Sequence, residues 1–129
     1  MTDNSLRSSL SRARGLGSAK TGAEQWWLHR VAALALIPLT LWFVFSVFHL
    51  LGAPLAVVQD WIASPTVAAA LVLLVAVGFH HAAHGLQTVL EDYVHHELTR
   101  LGTVLAVKFI LYALAVASIV AVLKISFGG

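Results

Sequence analysis

Three long apolar stretches govern what this chain can fold into, at about residues 31–51, 65–90 and 101–125. Each matches or exceeds the roughly 20 residues that a helix needs to cross about 30 Å of hydrocarbon. Inside hydrocarbon no water is available to satisfy backbone N–H and C=O groups, so an isolated crossing segment must be helical. The sequence therefore predicts an all-α membrane protein with three transmembrane helices. Composition agrees: 59% of the residues are hydrophobic and 11% are charged, against about 25% charged in an ordinary soluble domain. With 129 residues there is room for one domain and no separate soluble core. The expected division is a polar, basic arm over residues 1–25 followed by a three-helix membrane domain over residues 26–129.

Punctuation within the stretches refines this. Pro38 falls inside the first and is expected to kink it, because proline has no N–H to donate. Pro65 suits the opening turn of the second. The segment from Gly52 to Ser64, with Pro54 and the lone charge Asp60, reads as a linker. Trp61 lies near one expected membrane interface, and Trp26 and Trp27 lie near the other, ahead of the first helix. No internal repeat is apparent.

Charge sets an expected orientation. The amino-terminal side carries Arg7, Arg12, Arg14, Lys20 and Arg30, the first linker carries no Lys or Arg, and the tail carries only Lys124. The positive-inside rule then places the amino terminus and the Glu91–Arg100 linker in the cytoplasm, and the carboxyl terminus on the far side. The basic, Ser-rich arm fits a solvated tail near anionic lipid or a partner-docking segment. A cleaved secretory signal is not expected, because no short apolar core with a small-residue cleavage site follows the basic part. The arm also resembles a mitochondrial presequence, against which Asp3 argues. Cysteine is absent, which excludes disulfides, thiolate metal sites and iron–sulfur ligation by this chain. No nucleic-acid partner is expected.

Chemistry concentrates toward the end of the second stretch, in Gly78-Phe79-His80-His81-Ala82-Ala83-His84-Gly85 and onward to Glu91-Asp92-Tyr93-Val94. Ionisable side chains at membrane depth are expensive and are functional candidates by default. At about 1.5 Å per residue, His81 lies roughly 18 Å along the helix from Tyr93. Gly78 and Gly85, three residues before it and four after, share its face and leave room for a flat ring or a close helix. Imidazole is a usual protein ligand of haem iron. His80 points about 100° away from His81, and His84 lies one turn nearer the polar end; either is a hydrogen-bonding neighbour or an alternative ligand. A zinc or copper site built from His80, His81 and His84 is a further alternative. At the helix end, a tyrosine hydroxyl can donate to a quinone carbonyl while an aspartate orients it or relays protons. On these residues alone, Glu91, Asp92, His95, His96 and Glu97 fit an ordinary wet loop equally well. Lys108, in the third stretch, is expected to snorkel.

The string His81-x-x-x-Gly85-x-Gln87-x-Val89-x-x-Asp92-Tyr93-Val94 resembles the second helix of the hydrophobic membrane anchor subunits of succinate dehydrogenase, respiratory complex II. The similarity is to the bacterial form whose cytoplasmic end reads Glu-Asp-Tyr-Val-His, here Glu91 to His95. Gly15-Leu16-Gly17-Ser18-Ala19-Lys20, Trp26-Trp27-Leu28-His29-Arg30 and Pro38-Leu39-Thr40-Leu41-Trp42 also resemble that family's approach to and passage through its first helix. The likeness spans roughly residues 15–126. The His81-to-Val94 pattern is fairly specific, whereas the apolar matches are not.

The resemblance implies a set of roles. His81 holds the position of one axial ligand to haem b, with His84 as the alternative, and a companion cytochrome b556 subunit would supply the other ligand. Tyr93 holds the position that hydrogen-bonds the ubiquinone carbonyl, and Asp92 supports it. Arg30, and less directly His29, would contact a haem propionate or serve the quinone mouth. A lipid-snorkelling role for Arg30 stays open. The chain lacks flavin, dicarboxylate and cysteine chemistry, so the resemblance also implies a flavoprotein subunit and an iron–sulfur subunit. The implied setting is a bacterial inner membrane, or alternatively a mitochondrial inner membrane, with a place in electron transport and the tricarboxylic acid cycle. The anchor of a quinol:fumarate reductase and a histidine-based membrane metal-binding protein stand as the other readings.

Overall fold

The structure, a computed structural model, describes residues 8–10 and 21–128. The arm residues Arg7, Arg12, Arg14 and Lys20, and the Gly15–Lys20 run, lie outside the described residues. Four helices have both ends among the described residues: α1 over Thr21–Leu50, α2 over Leu55–Ala63, α3 over Pro65–Tyr93 and α4 over Glu97–Ser126. Among the described residues there is no strand. Three of the helices, α1, α3 and α4, are long and apolar enough to cross a membrane.

Helix α1 begins ten residues before the apolar stretch predicted to start at residue 31. Ala23, Glu24, Leu28 and Arg30 are good helix formers and nothing between them breaks the helix; Glu24 in the first turn also opposes the helix dipole. Trp26 and Trp27 are consequently part of the helix rather than a preface to it. They lie in stacked orientation with centroids 6.3 Å apart, and the Arg30 guanidinium carbon sits 4.4 Å from the centre of the Trp26 ring. Pro38 is inside α1, and the helix continues on both sides of it.

The segment predicted as a plain linker contains α2. Helix α1 is followed by a turn at Gly52, whose φ of +79° is a left-handed conformation that costs an L side chain about 1–2 kcal/mol. The chain then restarts at Pro54, whose carbonyl accepts from Val57 N at 3.0 Å and Val58 N at 3.3 Å. Val58, Trp61 and Ile62 recur at i, i+3 and i+4, so one face of the short helix is apolar. Trp61 stacks on Trp42 of α1 with centroids 5.9 Å apart, and α2 also touches α3 and α4. Pro65 drives the preceding residue out of helical geometry, and Ser64 is extended at φ −60°, ψ 125°. That break separates α2 from α3, with Pro65 in the first turn as predicted.

Helix α3 is central: it packs mainly against α4 and secondarily against α1. Among the described residues the buried ones are Ala68, Leu71 and Ala83 on α3 and Ala115 on α4, and of these only Ala83 is wholly enclosed, at 0% exposure. Small side chains at these contacts let helix backbones approach, the usual device where lipid removes a hydrophobic drive for association. Large apolar side chains such as Leu34, Phe45, Phe48 and Phe109 point outward, as on helices that meet lipid or other membrane protein. Hydroxyls inside the helices bond back one turn, from Ser46 to the Trp42 carbonyl at 2.8 Å, Thr88 to His84 at 3.1 Å and Thr103 to Thr99 at 2.8 Å. The start of α1, the end of α3 and the start of α4 share one end of the bundle, because Gly22, Trp26, Glu91 and Lys108 line a common cleft.

Candidate functional site

Four histidines gather near that end, three from α3 and one from α1. His81 carries the His29 ring flat against it, with centroids 4.4 Å apart and planes within 16°. Its Nδ1 is buried and has no hydrogen-bond partner among the described residues. Such an orphaned polar atom costs about 1–3 kcal/mol, and each one calls for an explanation such as a ligand or ion.

His84 is arranged differently. Its Nδ1 lies 3.1 Å from the His80 backbone carbonyl. A carbonyl only accepts, so this nitrogen is the donor; in the neutral imidazole that leaves the lone pair on Nε2. His80 turns toward α4, where its Nδ1 and the Tyr112 hydroxyl are 3.2 Å apart. The His80 and His84 rings are 4.4 Å apart but tilted by 52°. The three histidines of α3 therefore serve three directions: α4, their own backbone and α1. Among the described residues no group of three His, Cys, Asp or Glu side chains is placed to hold a metal ion. The zinc or copper alternative built from His80, His81 and His84 lacks the convergence it requires.

A cleft of about 480 Å³ opens beside the histidines, lined by His29, His84, Gln87, Thr88, Glu91 and Lys108 among others. A second, of about 390 Å³, adjoins it between α3 and α4, where Gln87, Glu91 and Lys108 are joined by Glu97 and Arg100. The Gln87 amide donates to the Glu91 carboxylate at 2.6 Å. Lys108 stands eleven residues into α4, about three turns, and lines both clefts rather than only reaching for lipid headgroups.

Tyr93 is the last residue of α3 and is 79% exposed. Asp92 beside it is exposed as well, and neither lines the two clefts. The structure thus brings together His29, His81 and His84 but leaves Tyr93 and Asp92 apart, at the rim. Gly85 has open space where a Cβ would stand, and a Cβ on Gly78 would meet Leu36 at an ordinary 3.8 Å. The sequence reading missed Tyr112 and the Gln87–Glu91 pair. Spacing held the signal for the pair, since Gln87 and Glu91 are four residues apart and share a helix face.

The donor set fits an imidazole-ligated cofactor. It offers one half-buried histidine whose ring is uncommitted at its enclosed Nδ1 and a second bonded at Nδ1, each leaving Nε2 as the nitrogen a metal would take, and the open space at Gly85 lies one turn away. Residues 4–122 match the family model described as succinate dehydrogenase/fumarate reductase transmembrane subunit. The chain belongs to that family. It is 30% identical over 117 residues to the succinate dehydrogenase hydrophobic membrane anchor subunit of Rickettsia bellii, covering 91% of this chain and 94% of that protein. It is 28% identical over 116 residues to the subunit of the same name from Paracoccus denitrificans, covering 90% and 89%. The succinate dehydrogenase membrane anchor subunit of Reclinomonas americana is 28% identical over 102 residues, covering 70% and 78%. No solved structure matches significantly. As a member of the transmembrane-subunit family with three crossing helices, the chain is a multi-pass membrane protein.

Proposed function

We propose that this chain is the hydrophobic membrane anchor of a succinate:ubiquinone oxidoreductase, and that it supplies one axial ligand of haem b and part of the ubiquinone-reduction site. The observation that carries the haem assignment is the uncommitted His81 ring: its enclosed Nδ1 has no hydrogen-bond partner among the described residues, and its other nitrogen, Nε2, would be the one to meet the iron. His81 is the ligand and a companion cytochrome b556 subunit provides the second. His84 is the alternative, since its Nδ1 contact with the His80 carbonyl leaves Nε2 available, but it is His81 that holds the ligand position in the resemblance. Bound haem ligated by two imidazoles supplies one-electron transfer without an open coordination position.

The chain's own residues divide the remaining work. Tyr93, exposed at the end of α3, presents a hydroxyl to a quinone carbonyl, and Asp92 supports it and the proton supply. The exposure of both suits a site completed by another subunit. Arg30, held over Trp26, is the candidate for a propionate contact. His29, the other candidate, lays its ring on His81 instead. The wet cleft around Gln87, Glu91 and Lys108 gives protons access from the cytoplasmic side. That side follows from the basic amino-terminal flank, and the setting from the bacterial relatives is an inner membrane. Succinate oxidation itself requires a flavoprotein subunit and an iron–sulfur subunit, which this cysteine-free chain would dock. A quinol:fumarate reductase anchor would use the same parts in reverse, and the family description covers both.

The test is a dithionite-reduced minus oxidised absorbance spectrum of the purified complex, wild type against His81→Leu. A low-spin b-type signal that is lost or altered in the variant supports the assignment. An unchanged signal moves the ligand to His84 or His80, and no signal in intact wild-type complex removes haem from the reading.

A further inference from the structure

We propose that His29 is a positioning residue for the His81 imidazole: it fixes the plane of that ring by stacking, and does so from a different helix. The inference rests on the reading of His81 as a haem ligand. A ligating histidine is ordinarily oriented by a hydrogen bond from its other ring nitrogen to a carboxylate, carbonyl or water. His81 has no such bond among the described residues, since its Nδ1 is buried and unpartnered. The terminal torsion of a histidine is broad, so an imidazole without a hydrogen bond has no intrinsic reason to hold one plane.

What does hold it is the His29 ring, 4.4 Å away and within 16° of parallel. The neighbouring rings do not substitute for it. Among the described residues His29 is the one ring stacked on His81, and His84 is tied to the His80 carbonyl. His80 is engaged with Tyr112. Arg30, the next residue on α1, is committed to the Trp26 face. The property that matters at position 29 is therefore a flat ring, and neither a charge nor a donor nitrogen. Because α1 carries the stacking ring and α3 carries the ligand, the packing of those two helices sets the ligand plane.

The experiment uses the assembled complex carrying His29→Phe, His29→Leu or His29→Gln, with His81→Leu as the reference for the ligand itself. The readouts are the low-field g value and linewidth of the oxidised low-spin haem by electron paramagnetic resonance, together with its midpoint potential. The g anisotropy follows the angle between the two axial ring planes. His29→Phe retains the wild-type g value and linewidth, while His29→Leu and His29→Gln shift and broaden the signal. If His29→Leu fails to assemble, the contrast between Phe and Gln decides. Wild-type spectra in the Leu or Gln variant overturn the proposal. So does a Phe variant shifted as far as the others, or a wild-type-like Gln beside a shifted Phe, since a polar contact would then be the operative one. A His81→Leu complex with unaltered haem signals instead sinks the underlying ligand assignment, whatever position 29 does.

Discussion

Replacing Ala83 by leucine should loosen the membrane domain more than any other single apolar change on α3. Among the described residues Ala83 is the one wholly enclosed, at 0% exposure. It sits three residues after His80, which reaches Tyr112 on α4, and four before Gln87, which lines the α3–α4 cleft. Its methyl group therefore lies in the seam that carries most of the interhelical contact. Three extra carbons there have no space without separating α3 from α4, and overpacking of this kind costs about 1–3 kcal/mol. At tenfold per 1.4 kcal/mol, the ratio of folded to unfolded chain falls about 5- to 140-fold. The His80–Tyr112 bond should be lost with it. Ala82 is the control, because it is exposed and borders an open apolar recess, so Ala82→Leu adds the same atoms without the clash. An SDS titration of the chain in micelles, followed by tryptophan fluorescence, reads the difference, with the Trp42–Trp61 stack as an internal reporter. Equal midpoints for the two variants would refute the placement of Ala83 in the seam.

Other perturbations separate the remaining contacts. A double-mutant cycle of His80→Phe and Tyr112→Phe should give a coupling of about 0.6 kcal/mol, the average for hydrogen bonds between membrane helices, and a coupling indistinguishable from zero would remove the bond between α3 and α4. Gly52→Val, at φ +79°, should cost about 1–2 kcal/mol of stability, read as a lower SDS midpoint, although nothing lies within 4 Å of its would-be Cβ; a neutral result would argue against the left-handed turn. Trp61→Ala should cost the stack with Trp42, about 0.5–1.5 kcal/mol beyond lost area, detectable as faster proteolysis between α1 and α3. Tyr93→Phe should slow ubiquinone reduction in the assembled complex while the haem spectrum stays unchanged, because the exposed hydroxyl lies apart from the histidines; a spectrum altered along with the rate would place Tyr93 with them.

The crossing helices were legible because a span needs only length and apolar content, and both are local. The start of α1 at Thr21 was not, since a helix that continues beyond the hydrocarbon is free of the apolar rule that reveals the span. Helix α2 escaped for a related reason. Nine residues are too few to cross, and Gly52, Pro54 and Asp60 are punctuation typical of a loop, while the i, i+3, i+4 repeat of Val58, Trp61 and Ile62 was the available signal. In the site, the importance of His81 could be argued from depth and spacing. Its stack with His29 could not, because that depends on how α1 and α3 are rotated against each other, which periodicity does not fix. Tyr112 looked like one more aromatic in an apolar run until α4 was docked on α3.

The distribution of polar groups along the bundle carries one more consequence. Gln87, Glu91, Lys108 and His84 line the clefts at the end shared by Trp26 and Arg100, whereas the middle of α1 and the far half of α3 carry no Asp, Glu, Lys or Arg. A charged side chain at the bilayer centre costs about 2.5–3.5 kcal/mol on insertion scales. Acyl chains packed against the α3–α4 clefts would face Glu91 and Lys108 together, with Gln87 between them. Those clefts must therefore meet water or a polar partner surface, while the alanine-lined contacts and outward Leu and Phe side chains of the other faces meet lipid or protein without penalty. The histidine cluster sits where these two environments join, with His84 and His29 on the wet cleft and His81 Nδ1 enclosed behind them. That boundary is where a buried redox group can lie out of water yet within reach of protons.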